Sequence, residues 1–391
     1  MKVLYDIYNQ VLDSVSTTFR RYLYDKINWD AELNMILGCR GVGKTTMMLQ
    51  HIILEGEQRS SLYVSAENPY FSTHTLYDTA YEFYKQGGKH LYIDEVHKYQ
   101  GWSREVKMMH DVLRDMRVTV SGSSMIDLIH GLEVDLSRRA LPYKLEGMSF
   151  REYLVFAYGA KMDPYSLEDI LEGRAILPRD LGRPLPLFNE YLQRGYFPFF
   201  QKKEYMLLLD NVVSQTLDTD IPQQANLTLS TAKKLKKLMS VVAQSTPFKP
   251  NFSSLGRVLE MNRTTVADML VYMEQAGLLR QLREDDDIMG RFAKVEKVYL
   301  NNTNLCYALC EDDPDRGMLR ETFFFSQMAV NNNVSASPVS DFIVDGRTFE
   351  VGGRNKKRKQ VADVADAYVV KDDIEYPYLR TIPLYMFGLN Y

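Results

Sequence analysis

Residues 34–49, Asn34-Met35-Ile36-Leu37-Gly38-Cys39-Arg40-Gly41-Val42-Gly43-Lys44-Thr45-Thr46-Met47-Met48-Leu49, pass from an apolar strand through a glycine-rich turn into the start of a helix. Within them, Gly38 to Thr45 fit the spacing G-x-x-x-x-G-K-[ST] in the strand–loop–helix setting that this pattern requires. Glycines let successive backbone N–H groups curl around a β-phosphate, and a helix N-terminus favours the anion. The stretch therefore implies an ATP-binding loop made of Gly38, Cys39, Arg40, Gly41, Val42, Gly43, Lys44, Thr45 and Thr46. Lys44 would reach the β- and γ-phosphates, and the Thr45 hydroxyl would be a ligand of Mg2+.

Working outward, further apolar runs at Ser61–Ser65, Leu91–Asp94 and Val118–Ser121 are separated by stretches long enough for crossover helices, the order of a parallel α/β sheet. Leu91-Tyr92-Ile93-Asp94-Glu95 ends in two carboxylates. Asp94 is the candidate to hold magnesium through water, and Glu95 the candidate to orient and deprotonate the attacking water. The strand at Val118 ends in hydroxyls, of which Ser123 is the candidate to sense the γ-phosphate. Phosphoryl transfer also needs positive charge against the transition state, often from a neighbouring subunit. Arg138 and Arg139 are the nearest candidates, and Arg40 is a weaker one.

After Pro142 the pattern changes, and from Phe150 to about Lys237 it is mostly helical, interrupted by Pro178, Pro184, Pro186 and Pro198. This reads as a helical lid or linker. Pro247–Leu300 then shows a helix near Ser253–Leu259, a turn at Glu260–Asn262, a helix over Thr264–Ala276 and two strands joined by the acidic turn Glu284–Asp287, the order of a winged helix-turn-helix. The last ninety residues begin with a helix around Leu319–Val330 and a hairpin over Asp341–Val351 turned by Asp345-Gly346, a small α/β domain.

Composition narrows the class. The 391 residues are 45% hydrophobic and 25% charged, ordinary values for a globular chain rather than a disordered or fibrous one. Apolar runs such as Leu91–Ile93 fall far short of the ~20 residues that span a bilayer, so no membrane partner is expected. Met1–Asp13 carries early acidic residues and no continuous apolar core, which argues against a secretory signal. Three cysteines, Cys39, Cys306 and Cys310, build no disulfide framework, and the expected location is the cytoplasm. A net charge of -4 gives no global pull toward nucleic acid, so any DNA contact would rest on the local run Arg354–Lys359.

Together, GCRGVGKTT, YIDEVHKYQGW at Tyr92–Trp102, SGSS at Ser121–Ser124 and LSRRALPYKLEGMSFREYL at Leu136–Leu154 resemble the bacterial and archaeal AAA-type P-loop ATPases. RETFF at Arg320–Phe324 and FEVGGRNKKRKQ at Phe349–Gln360 narrow the resemblance to the branch that ends in a catalytically degenerate restriction-endonuclease-like domain. The resemblance implies an AAA-type ATPase domain over 1–155, a helical lid or linker over 156–240, a winged helix over 241–310 and a nuclease-like α/β domain over 311–391. It also implies a metal-binding nuclease centre from Asp341, Glu350 and the helical Glu321, with Gly352 at the position of the usual lysine. That missing amine argues against nuclease activity unless Lys356 or Lys357 reaches back.

The expected function is ATP hydrolysis, with Glu95 as base, coupled to movement of the C-terminal domains; the alternative is a nucleotide-gated switch with negligible turnover acting through a protein partner. DNA, a protein partner and a second copy of the chain all stay open as partners.

Overall fold

The structure, a computed structural model, describes residues 1–122, 136, 138–284, 294–356 and 361–391. It divides into two compact units, Met1–Glu146 and Gly147–Tyr391.

In the first unit the four apolar runs and one further strand form one parallel sheet: β1 (Leu33–Leu37), β2 (Ser61–Ser65), β3 (His90–Asp94), β4 (Arg117–Gly122) and β5 (Leu141–Lys144), in the order β2-β3-β4-β1-β5. Every residue of β1 and β3 is buried, as expected of central strands with both faces covered. The covering helices are α1 (Lys2–Asp13), α2 (Lys44–Leu54), α3 (Leu76–Lys85) and α4 (Trp102–Val112). In α1, Leu4, Tyr8 and Leu12 recur at a spacing of four and bury one stripe. Strand β5, which pairs with β1, was not legible in the sequence because Pro142 interrupts it. An edge strand tolerates proline, since one side of its backbone has no ladder to donate to.

A chain of buried aromatic and imidazole groups sits at the N-terminal end of β3. The Tyr92 hydroxyl lies 2.6 Å from His51 Nδ1 and 2.9 Å from His90 Nδ1, and His90 Nε2 lies 2.8 Å from Thr119 Oγ1. Trp29 stacks on His51 at 4.0 Å, and Glu57, held by Arg117, lies 3.9 Å from His90. Burial lowers the pKa of His51 to about 4 and that of His90 to about 2, so both rings are neutral in the folded state. An unfolded histidine titrates near 6.5, so below that pH the unfolded chain binds the extra proton; this stability is fully present above about pH 6.5 and is lost as pH falls toward 4. His51 alone is expected to cost about 2 kcal/mol between pH 7 and pH 5. Urea unfolding followed by tryptophan fluorescence checks it, because both tryptophans of the chain, Trp29 and Trp102, lie in this unit. A midpoint that does not move between these pH values would contradict the neutral buried pair.

The second unit begins with α5 (Phe150–Tyr158), whose capping box joins Ser149 and Glu152. The division by compactness falls at 146/147, so α5 packs with the helices that follow, whereas the domain boundary expected from sequence is residue 155. These are α6 (Leu167–Leu171), α7 (Pro184–Arg194), α8 (Tyr205–Gln215), α9 (Ile221–Gln224) and α10 (Leu229–Ser245). Next come α11 (Phe252–Leu259), α12 (Arg263–Gln275) and the antiparallel pair β6 (Leu279–Arg283) and β7 (Val295–Leu300), whose outer edge is extended by a bridge from Phe248 to Val298. Helices α13 (Thr303–Leu309) and α14 (Arg316–Met328) lead into the strands β8 (Val334–Ala336), β9 (Phe342–Val344), β10 (Arg347–Gly352), β11 (Ala367–Lys371) and β12 (Thr381–Pro383), in the order β12-β11-β10-β9-β8. The β9–β10 turn falls on Asp345-Gly346, both at positive φ, as a tight hairpin turn demands.

The expected segments 156–240, 241–310 and 311–391 are all part of this one unit. Buried Asn304 shows why: its amide donates to the carbonyls of Tyr191 and Leu192 at 3.1 and 2.9 Å and accepts from the Tyr196 N–H and the Tyr205 hydroxyl. Tyr191 in turn donates to the Met148 carbonyl and accepts from Gln327. Among the described residues no helix is long and apolar enough to cross a membrane.

Candidate nucleotide site

The glycine-rich loop leaves the C-terminal end of β1, next to the ends of β3 and β4. Gly41 and Gly43 have φ of 85° and 100°, a region that side chains with a Cβ rarely enter, and Gly43 caps α2. Gly38 meets a different constraint: a Cβ there would lie 2.4 Å from the Leu145 carbonyl oxygen. Buried Lys44 points back into the loop and donates to the carbonyls of Gly38 and Cys39 at 3.0 and 3.1 Å. Val42 is buried, Cys39 and Arg40 are half-buried, and Thr46 is exposed.

Asp94 is the hub. Its Oδ2 accepts from the Thr45 hydroxyl at 2.6 Å and from the Tyr63 hydroxyl at 2.8 Å, and its Oδ1 accepts from the Ser121 hydroxyl and the Glu95 N–H. Burial, reinforced by the adjacent Asp94 carboxylate, pushes the Tyr63 phenol up, so it stays a donor. Glu95 follows in a left-handed conformation, φ 51°, of the kind that concentrates at functional sites. Its buried Oε2 has no hydrogen-bond partner and lies 3.6 Å from His97 Nε2.

Of the residues expected from sequence, Lys44, Thr45, Asp94 and Glu95 thus converge. Arg139 makes a two-pronged bond to Asp111 of α4, at 2.8 and 3.1 Å, and Arg138 is exposed. Ser123 lies outside the described residues. Sequence reasoning passed over Tyr63, Ser121 and buried Arg21, which donates to the carbonyls of Val42 and Glu146 and so braces the loop. Nothing local distinguishes Tyr63 from any other strand tyrosine; only the pairing of β2 with β3 carries it to Asp94.

In the second unit the three carboxylates implied by resemblance do lie near one another. Glu321 of α14 accepts from Lys297 at 3.0 Å and from the Tyr299 hydroxyl at 2.7 Å. Asp341 lies 3.7 Å from the same ammonium and accepts from the Val351 N–H at 2.9 Å. Burial, then the like charge of Glu321, pushes Asp341 up to about 6. Glu350 takes the Lys356 ammonium and, at 2.6 Å, the Ser340 hydroxyl. Of the run Arg354–Lys359, Lys357, Arg358 and Lys359 lie outside the described residues.

Residues 30–154 match the family described as an AAA domain, and residues 185–316 match a domain of unknown function (DUF8612). An uncharacterized protein of Methanocaldococcus jannaschii is 24% identical over 293 residues, 68% of this chain; the chain spans 60% of that protein. Among solved structures, the Hsp104–ADP complex of S. cerevisiae aligns over 68% of this chain and 41% of its own at 13% identity and a TM-score of 0.32. AMPPCP-bound DnaA from Aquifex aeolicus aligns over 69% and 88% at 12% identity and a TM-score of 0.26. The family match covers the segment that holds the glycine-rich loop and β1 to β5, so this parallel α/β sheet and its loop are similar to an AAA domain.

Proposed function

We propose that the chain binds ATP in the loop from Gly38 to Thr46 and hydrolyses it, with Glu95 as the general base. The observation that carries the reading is the convergence of Thr45, Tyr63 and Ser121 on Asp94, with the Glu95 carboxylate beside it and one of its oxygens unspent. The donor chemistry suits Mg2+: a hydroxyl and a carboxylate 2.6 Å apart at a helix N-terminus, for direct contact by Thr45 and contact through water by Asp94. Bound there, the ion would neutralise phosphate charge. Tyr63 and Ser121 hold Asp94 in one orientation, Lys44 is poised in the loop for the β- and γ-phosphates, and Glu95 accepts the proton of the attacking water.

The work of that cycle falls, in this reading, to the second unit. Helices α10, α11 and α12 with the β6–β7 pair and the Phe248 bridge have the order of a winged helix, and β8 to β12 with α14 are the part that the resemblance reads as nuclease-like. One contact takes a cation away from any DNA interface: the Lys356 ammonium is spent on Glu350, while Glu274 of α12 is matched by Arg283 at 2.7 Å, so that pair adds no net charge of either sign. A second reading, a nucleotide-gated switch with negligible turnover that works through a protein partner, is favoured by the Arg139–Asp111 bond, which commits the best candidate for a transition-state cation to α4.

Steady-state phosphate release with magnesium and ATP, with and without single- and double-stranded DNA at low and moderate salt, tests the two. Turnover well above the no-enzyme rate and indifferent to DNA is the expected result. Tight ATP binding without turnover would favour the switch, and turnover that DNA stimulates many-fold would reverse the argument from Lys356.

A further inference from the structure

We infer that in the second unit Lys297 stands where a carboxylate centre would otherwise hold a divalent cation, so that the wild-type chain needs and takes no metal at Glu321, Asp341 and Glu350. Three carboxylates gathered at half-buried or buried positions repel one another unless a proton or a cation sits among them. Two cations of the chain itself do so. Lys297 projects from β7 to lie 3.0 Å from Glu321 and 3.7 Å from Asp341, and Lys356 lies on Glu350.

Each carboxylate also accepts from a donor other than lysine. Tyr299 donates to Glu321, the Val351 N–H to Asp341, and Ser340 to Glu350. A hard divalent ion needs six or more oxygen ligands with lone pairs facing it, and here two ammonium groups and three further donors compete for the oxygens it would use. Among the described residues, no group of three histidine, cysteine, aspartate or glutamate side chains is arranged to hold an ion. The metal implied by resemblance therefore does not fit the residues present.

Lys356 closes the same argument from the other side. A Cβ built on Gly352 would lie 2.7–2.8 Å from the Cβ, Cγ and Cδ atoms of Lys356. The space of a side chain at 352 is thus filled by a lysine from one loop later, and its ammonium is locked on Glu350 rather than presented to a substrate. An open cavity of about 790 Å³ borders Lys297, Ser340 and Asp341, so the arrangement is within reach of solvent ions and not protected from them by burial alone.

Manganese titration without nucleotide, read by the loss of the free-ion paramagnetic resonance signal, tests the inference on the full chain. The variants are Lys297→Ala, Lys297→Gln, Asp341→Asn and Lys297→Ala with Asp341→Asn. The expected result is that Lys297→Ala binds one ion more than wild type, at least ten-fold more tightly than any wild-type site outside the first unit. Its melting temperature should rise on adding manganese, and the added Asp341→Asn should remove both effects. If Lys297→Ala fails to fold, Lys297→Gln, which keeps the length and removes the charge, replaces it. A wild-type site that Asp341→Asn abolishes would overturn the inference, as would neutral Lys297 variants that gain no ion. Should neither Lys297 variant fold, wild type against Asp341→Asn decides alone: equal titrations uphold a metal-free centre, and a loss of binding overturns it.

Discussion

Glu95→Gln lowers steady-state ATP turnover by roughly 10²- to 10⁴-fold while leaving ATP binding close to wild type, the span expected when a general base is removed. Glutamine has the shape of glutamate and keeps the backbone N–H that donates to Asp94, so Thr45, Asp94 and the glycine-rich loop stay in place. What it lacks is the basic lone pair on the buried Oε2, which accepts no hydrogen bond and has the His97 ring beside it at 3.6 Å. Two measurements separate the effects: phosphate release under saturating ATP, and equilibrium binding of a fluorescent ATP analogue. Turnover unchanged by Glu95→Gln would take Glu95 out of the mechanism, while parallel loss of binding and turnover would make it a structural residue of the loop.

Lys44→Ala removes both. The ammonium lies within 3.1 Å of the Gly38 and Cys39 carbonyls, inside the curve of the loop, so binding ATP only requires it to exchange those neutral acceptors for phosphate oxygens. Hydrogen bonds to charged groups contribute about 1.5–3 kcal/mol each, and two such contacts correspond to about 10²-fold or more in affinity. Turnover should fall to background, because the same charge faces the phosphate that is transferred. Isothermal titration with ATP and ADP checks it, and the two nucleotides should weaken together if Lys44 serves the β-phosphate as well as the γ-phosphate. A variant that binds ATP as tightly as wild type would mean that the lysine stays on the loop carbonyls in the bound state.

The two experiments address different inferences from the same residues. The first asks whether the chemistry happens, and the second whether the site is a nucleotide site at all. A chain that binds ATP through Lys44 but has no wild-type turnover for Glu95→Gln to lower is the switch, with Arg139 held by Asp111 until a partner draws it away.

How much of this was legible before folding depends on how local each feature is. The loop from Gly38 to Thr45, the apolar strands that bracket it, the helix-turn-helix around Glu260–Asn262 and the Asp345-Gly346 hairpin are written in neighbouring residues. Each rests on backbone conformations and periodicities that a few consecutive side chains impose, so the sequence by itself determined them. Strand β5 escaped because Pro142 violates a rule that holds for central strands and lapses at an edge.

The tertiary structure decided what converges. Tyr63 and Ser121 reach Asp94 only because β2 and β4 flank β3, and Lys297 falls between Glu321 and Asp341 only because β7, α14 and the β9–β10 hairpin meet. It also placed Arg139 on Asp111, and α5 with the second unit. Strand order and packing are set by burial summed over the whole chain, and a side chain's partners follow from them, so no stretch of sequence carries that information alone.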